Sequence, residues 1–504
     1  MSKGHFWLGF FVILAFAYLI RIIPLQNNNF FFTADQGYDA VHAREFFERG
    51  QLLLRGPETG IPGVFALPGW FYFISIGYWL FGGHPFGALF MVILLRLAVA
   101  ALLMWQIAKK VSLKLALLIG LSLQFFWFFY DASRWAFNPF PLVILTIWLV
   151  ILLTVFLESG RKRYFLFGLL PILLAFSTEI AGAGAFLLFY ILFGFWAVAR
   201  SRLSRKVYSL SIGLSLVVLM PVLVRMFSVF FQSQVFYQGS SDSLGVFSGV
   251  NFAGMFQKFL HIIQNSIVPQ SLSISIILFV FVFGYFAKER SKNSFKKYFV
   301  FLSLSLFAVS YLWFSANKGW RDWHTIGLPT LLFTSFLLSL SALPKRITVF
   351  IFLIVFVSQF RVFSERYIQY AVPGDDPSIL TNEIKAVDWI YQKAASEGFN
   401  VYTYMPSVTD YPYQYLFWWY GRRQYGYVPC EYANEPRALK YLYVPGSDFY
   451  SKPTLGCEGI EFLIIYPDTD QKRQQEWLSK FEKNAVVEEK NVGQIKLEMR
   501  RVSK

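Results

Sequence analysis

Long apolar segments recur along most of the sequence, and they constrain the fold more than any other feature. Runs rich in Phe, Leu, Ile and Val follow one another from Phe6 to Phe363. About 20 apolar residues in a helix can cross a bilayer, because a helix satisfies its own backbone hydrogen bonds in lipid. A soluble fold would have too little interior for a chain that is 56% hydrophobic. The sequence therefore predicts a polytopic α-helical membrane protein.

The charge pattern is also typical of a membrane protein. The net charge of +16 could indicate a nucleic-acid partner, but the Lys and Arg residues stand in short clusters between apolar segments, as they do in cytoplasmic loops. We therefore expect no nucleic-acid partner. The presence of only two cysteines excludes a disulfide-rich scaffold and a zinc site built on cysteine.

The basic clusters also predict the topology. The apolar stretches fall near residues 6–23, 67–81, 85–108, 112–130, 138–157, 163–178, 180–198, 207–225, 269–287, 297–315, 324–342 and 346–363. The basic clusters lie at residues 109–110, 161–163, 200–206, 288–297 and 345–346. All of these clusters become cytoplasmic if the N-terminus is cytoplasmic and the short stretch 67–81 does not cross, which leaves about eleven spans. We therefore expect a multi-pass protein of the plasma membrane whose C-terminal region lies outside.

A polar stretch, residues 33–70, follows the first apolar segment and is predicted to be the first outer loop. Asp35 and Asp39 are four residues apart, so a helical turn would place both carboxylates on one face. Gly/Pro pairs then interrupt regular structure at residues 56–57, 62–63 and 68–69. The pattern predicts a helix on the membrane surface and a loop that returns into lipid.

The composition changes after residue 365, which predicts a transmembrane domain over residues 1–365 and a soluble α+β domain over residues 366–504. Helices are predicted at residues 383–395 and 471–481, and strands at residues 401–404, 462–466, 486–489 and 494–499. Both cysteines, Cys430 and Cys457, lie in this domain. An extracytoplasmic compartment is oxidising, so we expect a disulfide between them.

Several motifs, taken in their order and on their predicted side of the membrane, carry a family resemblance. They are the acidic motif Asp35-Gln36, a Gly/Pro-rich return (LLLRGPETGIPGVFALPGWFYF), the turn SRWAFNPF, a hairpin tip after the fifth span, and the late segment WRDWHTIGLPTLLF. This arrangement resembles the GT-C superfamily of integral-membrane glycosyltransferases. It is most similar to the branch that includes protein O-mannosyltransferases and the lipid A aminoarabinose transferase. The resemblance covers residues 1–365 in architecture and implies a GT-C fold.

The resemblance implies a sugar transferase that acts on the outer face of the membrane. Such an enzyme moves a sugar from a polyprenyl-phosphate-linked donor in the membrane to an acceptor glycan, lipid or protein, with inversion. Asp35 matches the position that the family uses as general base, and Asp39 is the second catalytic candidate. Many relatives carry a second acid where this chain has Gln36, so a divalent metal is permitted, but no metal ligand is assigned.

The predicted topology places several polar residues near the outer membrane surface, where the phosphate of a lipid-linked donor would lie. An arginine can bind two phosphate oxygens with its planar fork. The candidates for the donor site are Arg134, Asn138, Glu179, Arg225, Arg321 and His324.

Each candidate also has an ordinary structural explanation. Asp35 and Asp39 would be favoured by the dipole at a helix N-terminus, Arg134 could reach lipid headgroups, and Asn138 could cap a helix. Three other functions stay open: a lipid-linked glycan polymerase or ligase, a transporter or flippase, and a non-catalytic scaffold. The ionisable residues crowd the outer ends of the predicted spans rather than the membrane midplane, which disfavours a transporter.

Overall fold

The computed structural model describes residues 2–59, 63–233, 251–289, 293–316, 321–406, 410–436 and 459–502. Contacts divide the chain into two compact units. Unit 1 comprises Met1–Arg21, Leu53–Phe73 and Met91–Tyr367, and unit 2 comprises Ile22–Leu52, Ile74–Phe90 and Ile368–Lys504. Unit 2 therefore includes two N-terminal stretches in addition to the C-terminal region.

Helices make up most of the described chain. In chain order they are α1 (Lys3–Ile22), α2 (Ala34–Phe47), α3 (Gly69–Leu80), α4 (Phe86–Lys110), α5 (Leu113–Gln124), α6 (Trp127–Asp131), α7 (Leu142–Ser159), α8 (Lys162–Phe167), α9 (Leu169–Ala175), α10 (Ile180–Ala199), α11 (Arg205–Ser233), α12 (Phe252–Ile267), α13 (Leu272–Glu289), α14 (Ser294–Ser315), α15 (Gly327–Leu340), α16 (Lys345–Ala371), α17 (Leu380–Ala394), α18 (Tyr411–Leu416), α19 (Arg422–Tyr425) and α20 (Gln471–Leu478). A 3₁₀ turn, Asp322–Thr325, precedes α15.

Nine helical segments of the described residues are long and apolar enough to cross a membrane. They contain α1, α4, α7, α10, α11, α13, α14, α15 and α16. The other two stretches that were predicted to span are helical but interrupted: α5 and α6 occupy one, and α8 and α9 occupy the other. The predicted class, a polytopic α-helical membrane protein with a mixed C-terminal domain, is confirmed.

The short helix α3 contains 12 residues. Its rise of about 18 Å is less than the roughly 30 Å hydrocarbon thickness of a bilayer. Its length therefore agrees with the prediction that stretch 67–81 does not cross.

Helices α7 and α15 form the centre of unit 1. Every residue of α15 is buried, and so are most residues of α7. The two helices approach closely because Gly327 lacks a side chain: a Cβ there would lie 2.1 Å from Oγ1 of Thr146. Small residues allow this kind of close contact between helices in a membrane, where apolar surface alone drives little association.

Unit 2 contains a five-stranded sheet in the order β2-β1-β3-β5-β4. The strands are β1 (Asn400–Tyr404), β2 (Glu431–Ala433), β3 (Ile460–Ile465), β4 (Ala485–Val492) and β5 (Ile495–Arg501). Strand β1 is parallel to β2 and β3, whereas β5 is antiparallel to β3 and β4. The predicted strands and the closing hairpin are confirmed.

The two faces of this sheet bury different helices. Phe462 on β3 contacts Trp389 of α17, with ring centroids 5.8 Å apart. The next residue, Leu463, belongs to an apolar cluster with Trp477 of α20. The alternation follows from the two-residue period of a strand, which directs successive side chains to opposite faces.

The helix predicted after the first span forms as α2, but it is more buried than a helix lying open on a membrane surface. Eight of its residues are buried, and it packs against α18 in the same unit. Gly37 makes this contact possible, because a Cβ there would lie 2.3 Å from the backbone nitrogen of Pro412.

Candidate functional site

The acidic motif of unit 2 lies at the start of α2. Thr33 is the N-cap, and its backbone N–H and its hydroxyl both donate to Oε1 of Gln36, at 2.9 and 2.7 Å. Gln36, which stands where many relatives have a second acid, therefore closes a capping box that fixes the first turn. This turn holds Asp35 at the second helical position.

Asp35 and Asp39 differ in exposure. Asp35 is exposed and Asp39 is buried. The protein beside Asp35 removes part of the solvent around its carboxylate and so raises the pKa of Asp35. Burial raises the pKa of Tyr78, and the charge of Asp39 raises it further, so these two residues lie near each other. Asp35 is accessible to a substrate, and its raised pKa makes it a better proton acceptor near neutral pH.

In unit 1, the turn after α6 carries the first donor-site candidate. Nη1 of Arg134 donates to Oδ1 of Asp131 at 3.2 Å, and its guanidinium lies 5.9 Å from the ring centroid of Trp127. A second guanidinium, that of Arg366, lies 5.2 Å from the same ring. Burial raises the pKa of Asp131, although the arginines around it lower it in part. Arg366 was not among the residues predicted from the sequence, where its only signal is its place just after the last apolar stretch.

Two other candidates, Glu179 and His324, come together in unit 1. Glu179 is the N-cap of α10, where its carboxylate accepts from the backbone N–H groups of Ala181 and Gly182 at 3.0 and 2.5 Å. Burial raises the pKa of Glu179 to about 7, although these bonds lower it in part. Nε2 of His324 lies 3.7 Å from Oε1 of Glu179.

The proton on His324 follows from its second contact. The backbone N–H of Arg321 donates to Nδ1 of His324 at 3.3 Å. Nδ1 is therefore the acceptor, and the proton of a neutral imidazole resides on Nε2, which faces Glu179. Arg321 itself is exposed, so its guanidinium is accessible.

The turn after α6 and the turn before α15 meet through two aromatic rings. The ring centroids of Phe137 and Trp323 are 6.1 Å apart. Asn138, which is half-buried, directly follows Phe137, and His324 directly follows Trp323. Unit 1 thus brings the segments of Arg134, Asn138, Arg321, His324 and Glu179 into one region.

Arg225 contacts the Gly/Pro-rich return loop (residues 53–69). Its Nε donates to the carbonyl oxygen of Gly63 at 2.7 Å. The same loop continues to Leu67, whose backbone N–H donates to the carbonyl of Phe176 at 3.0 Å, three residues before Glu179. Arg225 is therefore connected to this region through the return loop.

Two expectations from the sequence concern a divalent metal ion and a disulfide. Among the described residues, no group of three or more His, Cys, Asp or Glu side chains is placed to hold a metal ion. Cys430 lies directly before β2. Cys457 lies outside the described residues, so its bridge to Cys430 stays a prediction.

Two buried arginines of unit 1, Arg21 and Arg96, were also not predicted from the sequence as site residues. They are 1% and 0% exposed. Arg96 lies within the apolar stretch 85–108, and an ionisable residue inside a membrane span is by itself a sign of a special role.

A cleft of unit 2 lies between α17 and the β4–β5 hairpin, with a volume of about 430 Å³. Polar side chains line it, among them those of Lys385, Asp388 and Asn491. No site residue predicted from the sequence lines this cleft.

The long apolar helices, the polar turns gathered at their ends and the C-terminal mixed sheet define a polytopic helical membrane protein with a C-terminal mixed domain. Its fold is similar to that of two solved structures of ArnT from Cupriavidus metallidurans. The one bound to undecaprenyl phosphate matches with a TM-score of 0.59 and 13% identity, over 99% of this chain and 98% of that chain. The apo structure matches with a TM-score of 0.56 and 14% identity, over 99% and 98%.

ArnT is a lipid A aminoarabinose transferase of the GT-C superfamily. The resemblance that the motifs predicted is therefore confirmed for the fold. No protein-family model and no curated protein matches this sequence.

Proposed function

We propose that this protein transfers a sugar from a polyprenyl-phosphate-linked donor to an acceptor on the outer face of the plasma membrane. The observation that carries the proposal is the fold shared with ArnT, one structure of which is bound to undecaprenyl phosphate. The exposed carboxylate of Asp35, with its raised pKa, supports the same chemistry.

Asp35 acts as the general base in this proposal. An acceptor hydroxyl is a poor nucleophile while it keeps its proton, so a nearby carboxylate must take that proton as the oxygen attacks. The new bond joins the acceptor oxygen to the anomeric carbon. The bond from that carbon to the phosphate oxygen breaks, and the lipid phosphate leaves with the electron pair. A single displacement of this kind inverts the anomeric centre. Asp39, which is buried one turn later, supports the position of Asp35.

The phosphate of the donor needs positive charge and hydrogen-bond donors. Unit 1 supplies both in the region of Arg134, Asn138, Arg321 and His324. An arginine–phosphate pair is strong because its hydrogen bonds are charge-assisted. No step in the proposal uses a metal ion, and sugar transfer in the presence of a chelator tests this point.

The experiment is sugar transfer from a polyprenyl-phosphate donor by the purified full-length protein. Asp35→Asn keeps the size of the side chain but removes the base, so turnover should fall by about 10²–10⁴. In Asp39→Asn, turnover should fall less than in Asp35→Asn. The exposed acid Glu482 of the C-terminal region provides a matched control, and Glu482→Gln should keep the native rate.

The outcomes separate the competing functions. Near-native turnover in Asp35→Asn would refute the general-base role. A native protein that moves the lipid across a vesicle bilayer without transferring sugar would instead indicate a flippase. Loss of transfer by the native protein on addition of a chelator would show that a metal takes part.

A further inference from the structure

The loop of residues 132–140 in unit 1 carries two donor-site candidates, Arg134 and Asn138. One buried side chain contacts both ends of this loop. Nη2 of Arg96 donates to the carbonyl oxygen of Ala132 at 3.1 Å and to that of Phe140 at 3.0 Å. Because Arg96 comes from the middle of α4, it connects the two ends of the loop to a membrane helix.

A second buried arginine contacts the start of the same loop. Nε of Arg21 donates to Oγ of Ser133 at 2.9 Å, and Nη1 donates to Oε1 of Gln124 at 2.9 Å. The hydroxyl of Tyr130 donates to the carbonyl of Ile20, one residue before Arg21, at 3.2 Å. The C-terminal end of α1 therefore contacts the first residues of the loop and the residue Tyr130 before it.

Both guanidinium groups lie against one aromatic ring. The carbon atoms of the Arg21 and Arg96 guanidinium groups are 5.6 and 5.5 Å from the ring centroid of Phe129. Nη2 of Arg21 and Nε and Nη1 of Arg96 find no hydrogen-bond partner among the described residues. Burying two like charges with unmet donors is costly, so their presence points to a role that an apolar side chain could not fill.

We propose that Arg96 and Arg21 are positioning residues that hold the 132–140 loop in the shape that presents Arg134 and Asn138 to the donor. This inference rests on the proposed function. The two arginines do not touch the donor, because they are 0% and 1% exposed. They act through the loop. The carbonyl of Ala132 lies two residues before Arg134, and the carbonyl of Phe140 lies two residues after Asn138.

Hydrogen exchange of the full-length protein in detergent tests the inference directly. The loop has amides that are protected by internal bonds, namely those of Ser133, Arg134 and Phe140. Arg96→Met removes the donors but keeps a long side chain, and exchange across residues 131–141 should rise by about tenfold or more, as expected for loss of charged hydrogen bonds. Lys109→Met is the control, because it removes a positive charge from the same helix at a residue that lies against Trp105.

A charge-conserving variant separates positioning from electrostatics. Arg96→Lys keeps the charge but lacks the planar fork, so the loop should still exchange faster than in the native protein. Ser133→Ala removes the acceptor for Arg21 and gives a milder second variant if Arg96→Met does not fold. Native exchange of residues 131–141 in Arg96→Lys and in either Arg96→Met or Ser133→Ala would overturn the inference.

Kinetics in two backgrounds then show whether the loop matters for the donor. Arg96→Met should raise the donor KM in the native background. It should change the donor KM little further in the Arg134→Ala background, because the effects of two coupled residues are not additive. An equal effect in both backgrounds would contradict action through Arg134. If Arg134→Ala alone leaves the donor KM unchanged, the donor role in the proposed function is wrong, whereas the exchange data still decide whether Arg96 holds the loop.

Discussion

Nε2 of His324 lies 3.7 Å from a carboxylate oxygen of Glu179, and both side chains are largely buried. The carboxylate also receives two backbone N–H groups at the start of α10. Burial nevertheless raises the pKa of Glu179 to about 7. Glu179 therefore gains or loses its charge close to neutral pH, in the region that we propose binds an anionic donor.

This relationship predicts a pH dependence of donor binding. As the pH rises from 6 to 8, Glu179 becomes ionised and repels the donor phosphate, so the donor KM should rise by on the order of threefold to tenfold, for a like-charge interaction of about 1 kcal/mol. Glu179→Gln keeps an oxygen that can cap α10 but carries no charge, so its donor KM should change little over this range. The measurement is donor KM against pH for both proteins. A rise in KM that is equally steep in Glu179→Gln would contradict this role.

A second prediction concerns Arg366, which shares the ring of Trp127 with Arg134. If Arg366 adds positive charge to the donor site, Arg366→Ala should raise the donor KM by on the order of threefold, as for one exposed charge interaction, with little change in kcat. Arg361 offers a matched control on the same helix, where it pairs with Glu365. Arg361→Ala should keep the native donor KM. Equal donor KM values in both variants and the native protein would remove Arg366 from the site.

The sequence predicted most of the helices and strands, because their apolar periodicity is local. The capping box of α2 is also visible in the sequence as Thr33 followed three residues later by Gln36. The break at Gly168 between α8 and α9 could have been expected from glycine, whereas the break between α5 and α6 falls at two phenylalanines and has no comparable signal.

The arrangement of the candidate site depends on contacts that no local pattern encodes. Arg96 binds backbone carbonyls, which every residue has, so the sequence cannot identify its partners. The contact of Phe137 with Trp323 joins segments far apart in the chain. The predicted topology identified Arg134, Glu179 and His324 as polar residues near the outer ends of spans, but only the fold brings Glu179 to His324.

A third prediction tests the packing of α2 on α18. Gly37→Ala would place a Cβ 2.3 Å from the backbone nitrogen of Pro412 and 2.7 Å from the carbonyl carbon of Tyr411. Backbone atoms cannot rotate away as a side chain would, so the substitution should lower the free energy of unfolding by about 1–3 kcal/mol. Thermal unfolding in detergent measures this change.

Gly213→Ala in α11 is the control for this substitution, because nothing lies within 4 Å of a Cβ at that position. Alanine favours a helix over glycine by up to about 1 kcal/mol, so Gly213→Ala should be as stable as the native protein or more so. Equal thermal stability of the two variants would show that α2 and α18 do not make the close backbone contact at Gly37 and Pro412.

The last prediction follows from Asp410, a buried carboxyl directly before α18. Nε2 of Gln414 donates to Oδ1 of Asp410 at 2.6 Å. Burial raises the pKa of Asp410 to about 7, although this hydrogen bond lowers it in part. In the unfolded chain the pKa would be about 3.9. Between these two values the native state holds a proton that the unfolded state has lost, so stability should fall as the pH rises, by at most about 1.4 kcal/mol per pH unit.

Asp410→Asn removes this dependence, because an amide does not ionise but still offers an oxygen to Gln414. The variant should therefore be more stable than the native protein at pH 8, and its advantage should shrink as the pH falls from 7 to 5. Thermal unfolding in detergent across this range measures the difference, with the exposed acid Asp375 as the control position. Asp375→Asn should show no such pH-dependent advantage, since water already solvates its carboxylate. A difference between Asp410→Asn and the native protein that stays constant from pH 5 to pH 8 would show that the buried carboxyl does not change its charge on unfolding.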